Sequence, residues 1–523
     1  MRKIKQLTAW LRIASLLMLL GMVAQAAVQP GENLQAILDR GDDLVLQQGA
    51  VYPISQPLKY KKPGQKIFTA GATNLSDYAT LLLVNSNAVE VLNASGVPGA
   101  TLERVIVDGN RYRLSAPHKM PKTPQAPMMS FGGKGAEGQI VRNNFFRSTR
   151  SWSTMQIREG GNHILVENNM AGVDPRGNGR ETHEVPFAWS DGFSCAAENT
   201  IIRNNLIIDP TDVGIVLYGA PGSLAEGNVI ASVSRESLGG VNMVDPLSPY
   251  LMKGSTNRFD YQGDVVRDNF IDALGARIHI GLPMGGPIWG PKSLGTILVG
   301  AEICGNTMAG GAAAYGFVLN GVDQFNVHDN RSIASYSGIG EGLKANNPPD
   351  EPGAFLFDPK QIGDSKLQAE FKPCSRYLVH LLRANHGITN ALGYRVYAYG
   401  EAEVKAAVTT AYLEMLQRAP TAVELAAQIQ WLQEGKHTAD ELRRKLMTGE
   451  EFVRQFGSVS PDDLQLYRQK LWFDLLNAEQ RKANGAMPAA LTLFKGALQK
   501  LDHGDAAANR SVPDSEKPVY SLR

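Results

Sequence analysis

Seven asparagines recur along the middle of this 523-residue chain, each closing a short β-rich segment just ahead of another apolar pair. The segments are Ile140-Val-Arg-Asn-Asn144, Ile164-Leu-Val-Glu-Asn-Asn169, Ile201-Ile-Arg-Asn-Asn205, Ser223-Leu-Ala-Glu-Gly-Asn228, Val265-Val-Arg-Asp-Asn269, Ala301-Glu-Ile-Cys-Gly-Asn306 and Phe325-Asn-Val-His-Asp-Asn330. Successive asparagines are 25, 36, 23, 41, 37 and 24 residues apart. Three intervals are single coils, and the longer three equal a coil plus an insertion of about 12 to 17 residues, the way loops decorate one side of a solenoid. A repeat this short cannot bury its own apolar face, so it must stack in parallel on its neighbours. Asn suits the turn between two strands of a coil, because it tolerates the left-handed conformation and its amide can bond the same amide one rung away. Leucine-rich repeats have a similar period, but Leu does not recur here at fixed positions. The fold class expected is mainly β, a right-handed parallel β-helix with a small C-terminal α-helical domain.

The start of the chain agrees with that expectation. Residues 1–26 read as a secretory signal, with Arg2, Lys3, Lys5 and Arg12 as the basic part, Ile13 to Ala24 as the apolar run and Ala24-Gln25-Ala26 as the cleavage site. The run is short against the roughly 20 residues of a spanning helix, so cleavage and a periplasmic or secreted destination are expected, with no membrane span afterwards. Asn33 to Asp39 reads as a short amphipathic helix, followed by strand-like Asp43 to Leu46, Gly49, Tyr52 and Ile54. With Val105-Ile-Val-Asp-Gly-Asn110 as its first typical coil edge, this pattern resembles the pectin-lyase-like right-handed β-helix superfamily across residues 28 to 375. Superfamily membership specifies fold strongly and chemistry weakly. Without the leader's four basic residues the chain keeps 48 of its 52 against 51 acidic ones, a charge near −3 that argues against nucleic acid as a partner. Cys195, Cys304 and Cys374 are too few and too widely spaced to signal a zinc site or a disulfide framework.

After Pro373 the composition shifts to Ala, Leu, Gln, Glu and Lys, and Val404, Val408, Ala411, Tyr412, Met415 and Leu416 fall at helical spacing. The organisation expected is a signal over 1–26, the β-helix over 27–375, a linker over 376–400, helices over 401–503 and a disordered tail over 504–523. Arg418-Ala-Pro420, Trp431 and Gly449-Glu-Glu-Phe452 resemble the helical modules of phycobilisome linkers. No acid or histidine stands out there, so docking of another protein, not chemistry, is expected of it.

Chemistry is expected on one sheet. Counting back from each asparagine, one strand per coil collects Arg158, Asp191, Asp212, Asp245, Arg277 and His279. The insertions beside it carry Arg180, His183, Glu184 and Trp189, then Lys253 and Trp289. Flat aromatics with cations suit a charged sugar chain, so polysaccharide is the partner expected. Phrases such as Ser190-Asp-Gly-Phe and Gly281-Leu-Pro-Met-Gly-Gly-Pro287 also resemble secreted bacterial β-helix proteins of unassigned activity. Asp191, Asp212, Asp245, Arg277 and His279 are the catalytic candidates; Arg158, Arg180, His183, Trp189, Lys253 and Trp289 are the substrate-binding ones. In lyase or epimerase chemistry Arg277 or Lys253 would neutralise a uronate carboxylate while His279 takes the C5 proton, and acids on the sheet could hold Ca²⁺. In hydrolysis two of Asp191, Asp212 and Asp245 would act as acid and base, but the superfamily's polygalacturonase motif set is absent. The remaining alternative is a polysaccharide-binding or export-assisting solenoid without turnover. Asp191, Asp212 and Asp245 also suit tight turns, and His279, between Ile278 and Ile280, has the parity of an outward strand position.

Overall fold

The computed structural model describes residues 26–114, 126–172, 190–232, 237–244, 257–273, 277–288, 295–310, 313–336, 338, 352–374, 401–434, 437 and 439–459. From Leu44 to Pro373 the chain winds through three sheets of 12, 10 and 11 strands, every pairing between them parallel. Each full coil visits the first, second and third sheet in turn, as in Ile140–Arg142, Phe145–Arg147 and Ser153–Arg158. The molecule is therefore a right-handed parallel β-helix. Helix Leu34–Arg40 opens it, with Asn33 Oδ1 accepting from Ala36 N and Gly41 closing it at φ 86°. Leu34, Ile37 and Leu38 join the apolar core, so this helix covers the first coil's otherwise open end.

The seven asparagines form one continuous ladder inside the turn between the first and second sheets. Each side-chain amide donates to the next asparagine's Oδ1 at 2.9–3.0 Å, from Asn144 through Asn330. The same Oδ1 accepts the preceding asparagine's backbone N–H, and the amide's second hydrogen goes to a carbonyl of the previous coil, such as Leu102 O or Val141 O. Every rung is thus a fully satisfied buried amide. The left-handed conformation falls one residue earlier than expected. Asn143, Asn168, Asn204, Gly227, Asp268, Gly305 and Asp329 have φ between 54° and 67°, while the ladder asparagines do not. Two jobs assigned to one residue are divided between two, because an amide held in the stack must point inward from an extended backbone. At the far end Gln368 Oε1 accepts from Asn330 N, a longer amide replacing the next asparagine.

The outer face of the first sheet carries a second ladder, of charge. In register, Glu103, Arg142, Glu167, Arg203, Glu226 and Arg267 alternate in sign over six coils. Arg142, Arg203 and Arg267 each bond the preceding glutamate at 2.6–3.0 Å. Cross-strand pairs of opposite sign favour this register over a slipped one.

Residues 401–456 form helices Glu401–Leu416, Ala422–Glu434, Ala439–Met447 and Glu450–Phe456 around their own core, which includes Val408, Met415, Leu432, Leu442 and Phe452. The residues behind the Arg-x-Pro and Glu-Phe signatures meet here: Arg418 forks between Glu424 and Glu451, with four contacts of 2.6–2.9 Å. Arg418 holds the Glu424 carboxyl down at about 2. No helix among the described residues is long and apolar enough to cross a membrane. The segment before residue 26 read as a signal, the stretch over 376–400 read as a linker and the chain beyond 459 lie outside the described residues.

Candidate functional site

The third sheet is shaped by glycine. Gly192, Gly214, Gly240, Gly281 and Gly316 occupy one register line through five coils. A Cβ on Gly192, Gly214 or Gly240 would sit 2.4–2.7 Å from the next coil's carbonyl and 2.6–2.8 Å from Ile207, Ile230 or Ile271. Those isoleucines, continued by Met308, are themselves a register line of the second sheet. The glycines let the two sheets close at an inner corner that no side chain would fit.

This corner resets the in–out alternation. In Val213–Tyr218, Gly214, Ile215 and Leu217 face the interior, while Val213 and Val216 pack with Tyr218 and Val244 in a separate cluster on the outer face. In Ile278–Met284, Ile278 and Leu282 belong to the core, and Ile280 joins Tyr315, Val318 and Leu356 in another outer cluster. Strict alternation from Ile278 therefore misreads His279, which is buried, 1% exposed. Arg277 is half-buried and its side chain has no partner among the described residues.

The described candidates are spread along the strands of the sheet and do not all meet at one point. Across the leading edge of the sheet, Asp191 aligns with Val213 of the next coil, so Asp191 and Asp212 are neighbours one residue out of line. His279 follows Asp212 in register two coils on, roughly 10 Å along the axis. Asp191 is largely buried and already engaged. Its Oδ2 accepts from Ser194 Oγ at 2.8 Å and its Oδ1 from Val213 N at 3.2 Å, while Ser194 Oγ also meets Ser153 Oγ at 2.8 Å.

Arg158 stands toward the trailing edge, five residues along the strands from the Asp191 position, while the Asp191 carboxylate reaches Ser194, which is in register with Gln156. Its guanidinium donates to Ser130 Oγ at 3.2 Å, and Ser130 Oγ donates to Glu90 Oε1 at 2.7 Å. Arg158 Nε has no hydrogen-bond partner, and no carboxylate lies within ion-pair distance of Arg158 among the described residues. Ala196 lies between Arg158 and Tyr218 in register, a small residue over which the two longer side chains reach. Gln156 Nε2 approaches Tyr218 Oη at 3.5 Å. Burial pushes the Tyr218 phenol well above its ordinary value, with the Asp191 charge adding to the rise, so it stays protonated at neutral pH. Tyr218, Gln156 and Ser130 were not singled out from sequence, because only the coil register places them beside Arg158.

Residues 173–189 lead into strand Asp191–Cys195, whereas 245–256 and 289–294 follow Ser237–Val244 and Ile278–Met284. Arg180, His183, Glu184, Trp189, Asp245, Lys253 and Trp289 lie outside the described residues.

No family model and no curated protein matches the chain. Among solved structures, the catalytic domain of a GH87 alpha-1,3-glucanase in complex with nigerose is 14% identical over 67% of each chain, with a TM-score of 0.37. An endo-xylogalacturonan hydrolase from Aspergillus tubingensis is 11% identical over 66% of this chain and 94% of its own, at 0.41. The A-module of a mannuronan C-5 epimerase from Azotobacter vinelandii is 11% identical over 66% and 97%, at 0.31. At 11–14% identity these are likenesses of chain path.

Proposed function

We propose that this is an exported protein whose third sheet holds an anionic, uronate-type polysaccharide, with Arg158 taking a sugar carboxylate. The observation that carries this reading is the half-buried Arg158 guanidinium, whose hydrogen-bond partner is the Ser130 hydroxyl, with Glu90 reached only through that hydroxyl and no carboxylate within ion-pair distance among the described residues. The outer-face arginines of the first sheet are each answered by a glutamate. A cation kept partly out of water without a directly bonded carboxylate can take an anion from outside, and a planar carboxylate matches the guanidinium fork. Arg277, four coils and roughly 19 Å further along the axis at the other edge of the sheet, is a second half-buried cation. Binding without turnover is favoured by the burial of Asp191 and His279, which leaves neither open to a sugar ring.

The lyase or epimerase reading draws support from Tyr218. With the carboxylate neutralised by Arg158, the C5 proton of a uronate becomes more acidic; a separate base would take that proton, and a phenol held protonated would serve as the acid that gives one to the leaving oxygen or to the opposite face of C5. Asp212 lies at the opposite end of the same strand, six residues before Tyr218.

The test of the ligand class is calorimetric titration of the full chain with polyuronates and with the same polymers after carboxyl reduction, each with and without Ca²⁺. Binding of the polyuronate that drops at least tenfold on reduction is expected. Equal affinity for both forms would remove the anionic reading. Near-ultraviolet absorbance of unsaturated uronate ends, or a changed ratio of C5 epimers, would place turnover on top of binding.

A further inference from the structure

We propose that Glu302, Cys304 and His328, on the outer face of the first sheet, bind a thiophilic divalent cation of the Zn²⁺ class. The charge ladder points to the place. After Arg267 the next two positions in register are Cys304 and His328, where continued alternation would put a glutamate and an arginine. Both replacements are metal-ligand types, and Glu302 lies on the same face two residues before Cys304. One ligand atom from each of the three falls within 4.8 Å of the others.

The distances are those a bound ion would set. A tetrahedral Zn²⁺ with N and O ligands near 2.1 Å and S near 2.3 Å sets an N···O edge of about 3.4 Å and an S···O edge of about 3.6 Å. His328 Nε2 stands 3.4 Å from Glu302 Oε1, and Cys304 Sγ stands 3.7 Å from the same oxygen. His328 Nδ1 is 2.7 Å from Asp329 Oδ2. A proton on Nδ1 donated to that carboxylate leaves the Nε2 lone pair facing Glu302, the outer-shell arrangement that orients histidine ligands on metals. The His328 and Glu302 side chains are 38% and 48% exposed, so an ion can enter, and the fourth position stays open to water. A thiol and an imidazole select against Ca²⁺ and Mg²⁺, which take oxygen. Glu302 and Cys304 come from strand Ile297–Cys304 and His328 from Asn326–His328, so the ion would clamp two successive coils near the solenoid's last turns.

The experiment is titration of the chelator-stripped full chain with Co²⁺, followed by back-titration with Zn²⁺. Expected is a thiolate-to-cobalt charge-transfer band in the near ultraviolet, with tetrahedral d–d bands, saturating at one equivalent and lost on adding Zn²⁺. Cys304→Ser should abolish the charge-transfer band, His328→Ala should weaken affinity at least tenfold, and Cys374→Ser should change neither. Absence of the band in the wild-type chain, its survival in Cys304→Ser or its loss in Cys374→Ser would overturn the proposal. The readout is independent of glycan binding, so its failure leaves the groove reading untouched.

Discussion

An asparagine in the ladder works because all of its amide valence is used. Asn205 Oδ1 accepts from Asn169 N and Nδ2, and Asn205 Nδ2 donates to Val166 O and Asn228 Oδ1. Asn205→Ala would orphan both donors of Asn169 that it served and the carbonyl of Val166, at a cost of about 2–4 kcal/mol. A lower urea midpoint at unchanged native circular dichroism is the outcome expected. The ladder was legible in the sequence because its period is, and the paired residue in front of each asparagine was legible too. Asn, Gly and Asp are the residues that enter the left-handed region at least cost. What the string of letters does not give is which member of each pair turns and which stacks. A second residue-scale consequence concerns Asp264, buried within the first-sheet strand Arg258–Arg267 at its register shift, where its Oδ1 accepts from Ser223 N. Burial raises this carboxyl to about 8, and Asp264 Oδ2 has no hydrogen-bond partner among the described residues. Because the folded value lies above the unfolded one near 4, the folded chain keeps a proton that the unfolded chain releases. Stability should fall as pH rises from about 4 to 8 and level off above. Asp264→Asn should flatten that slope and raise the melting temperature at pH 8 while changing little at pH 4.

At the scale of a strand, the glycine line explains why the site was only half legible. Period-2 reasoning assigns every second residue to one face, and it succeeds on the first sheet, where Ile-Val-Arg and Leu-Val-Glu segments each bury the middle residue. It fails on the third, where the glycine and its successor both face inward and shift the pattern by one. Arg158 was placed from sequence on the sheet that carries the candidates, but which of them come near it depends on where along each strand a residue falls. Gly240→Ala puts a Cβ 2.5 Å from Gly281 O and 2.6 Å from Ile271 Cγ2, neither of which can yield without moving a coil. A loss of about 2 kcal/mol or more is expected, read as a lowered denaturant midpoint. Ser332→Ala, at a partly exposed strand end of the second sheet, should shift it far less.

On the scale of the whole molecule, the composition change after Pro373 marks where coil repetition ends and helices with their own core begin. The helical core is self-contained: Arg443 and Glu414, fully buried, bond each other within it. Truncation near residue 395 is expected to leave a soluble β-rich solenoid that still binds polyuronate, checked by circular dichroism and calorimetry on the shortened chain. A solenoid presents its outer face as one extended surface, which suits a polymer ligand better than a small one. The central claim rests on one guanidinium in that surface, and the direct measurement is the affinity of full-length Arg158→Ala and Arg158→Lys for a bound polyuronate beside the wild-type chain. Expected is at least a tenfold loss for Arg158→Ala with an unaltered melt, and partial retention for Arg158→Lys, which keeps the charge without the fork. Arg158→Ala binding as tightly as the wild type would contradict the claim.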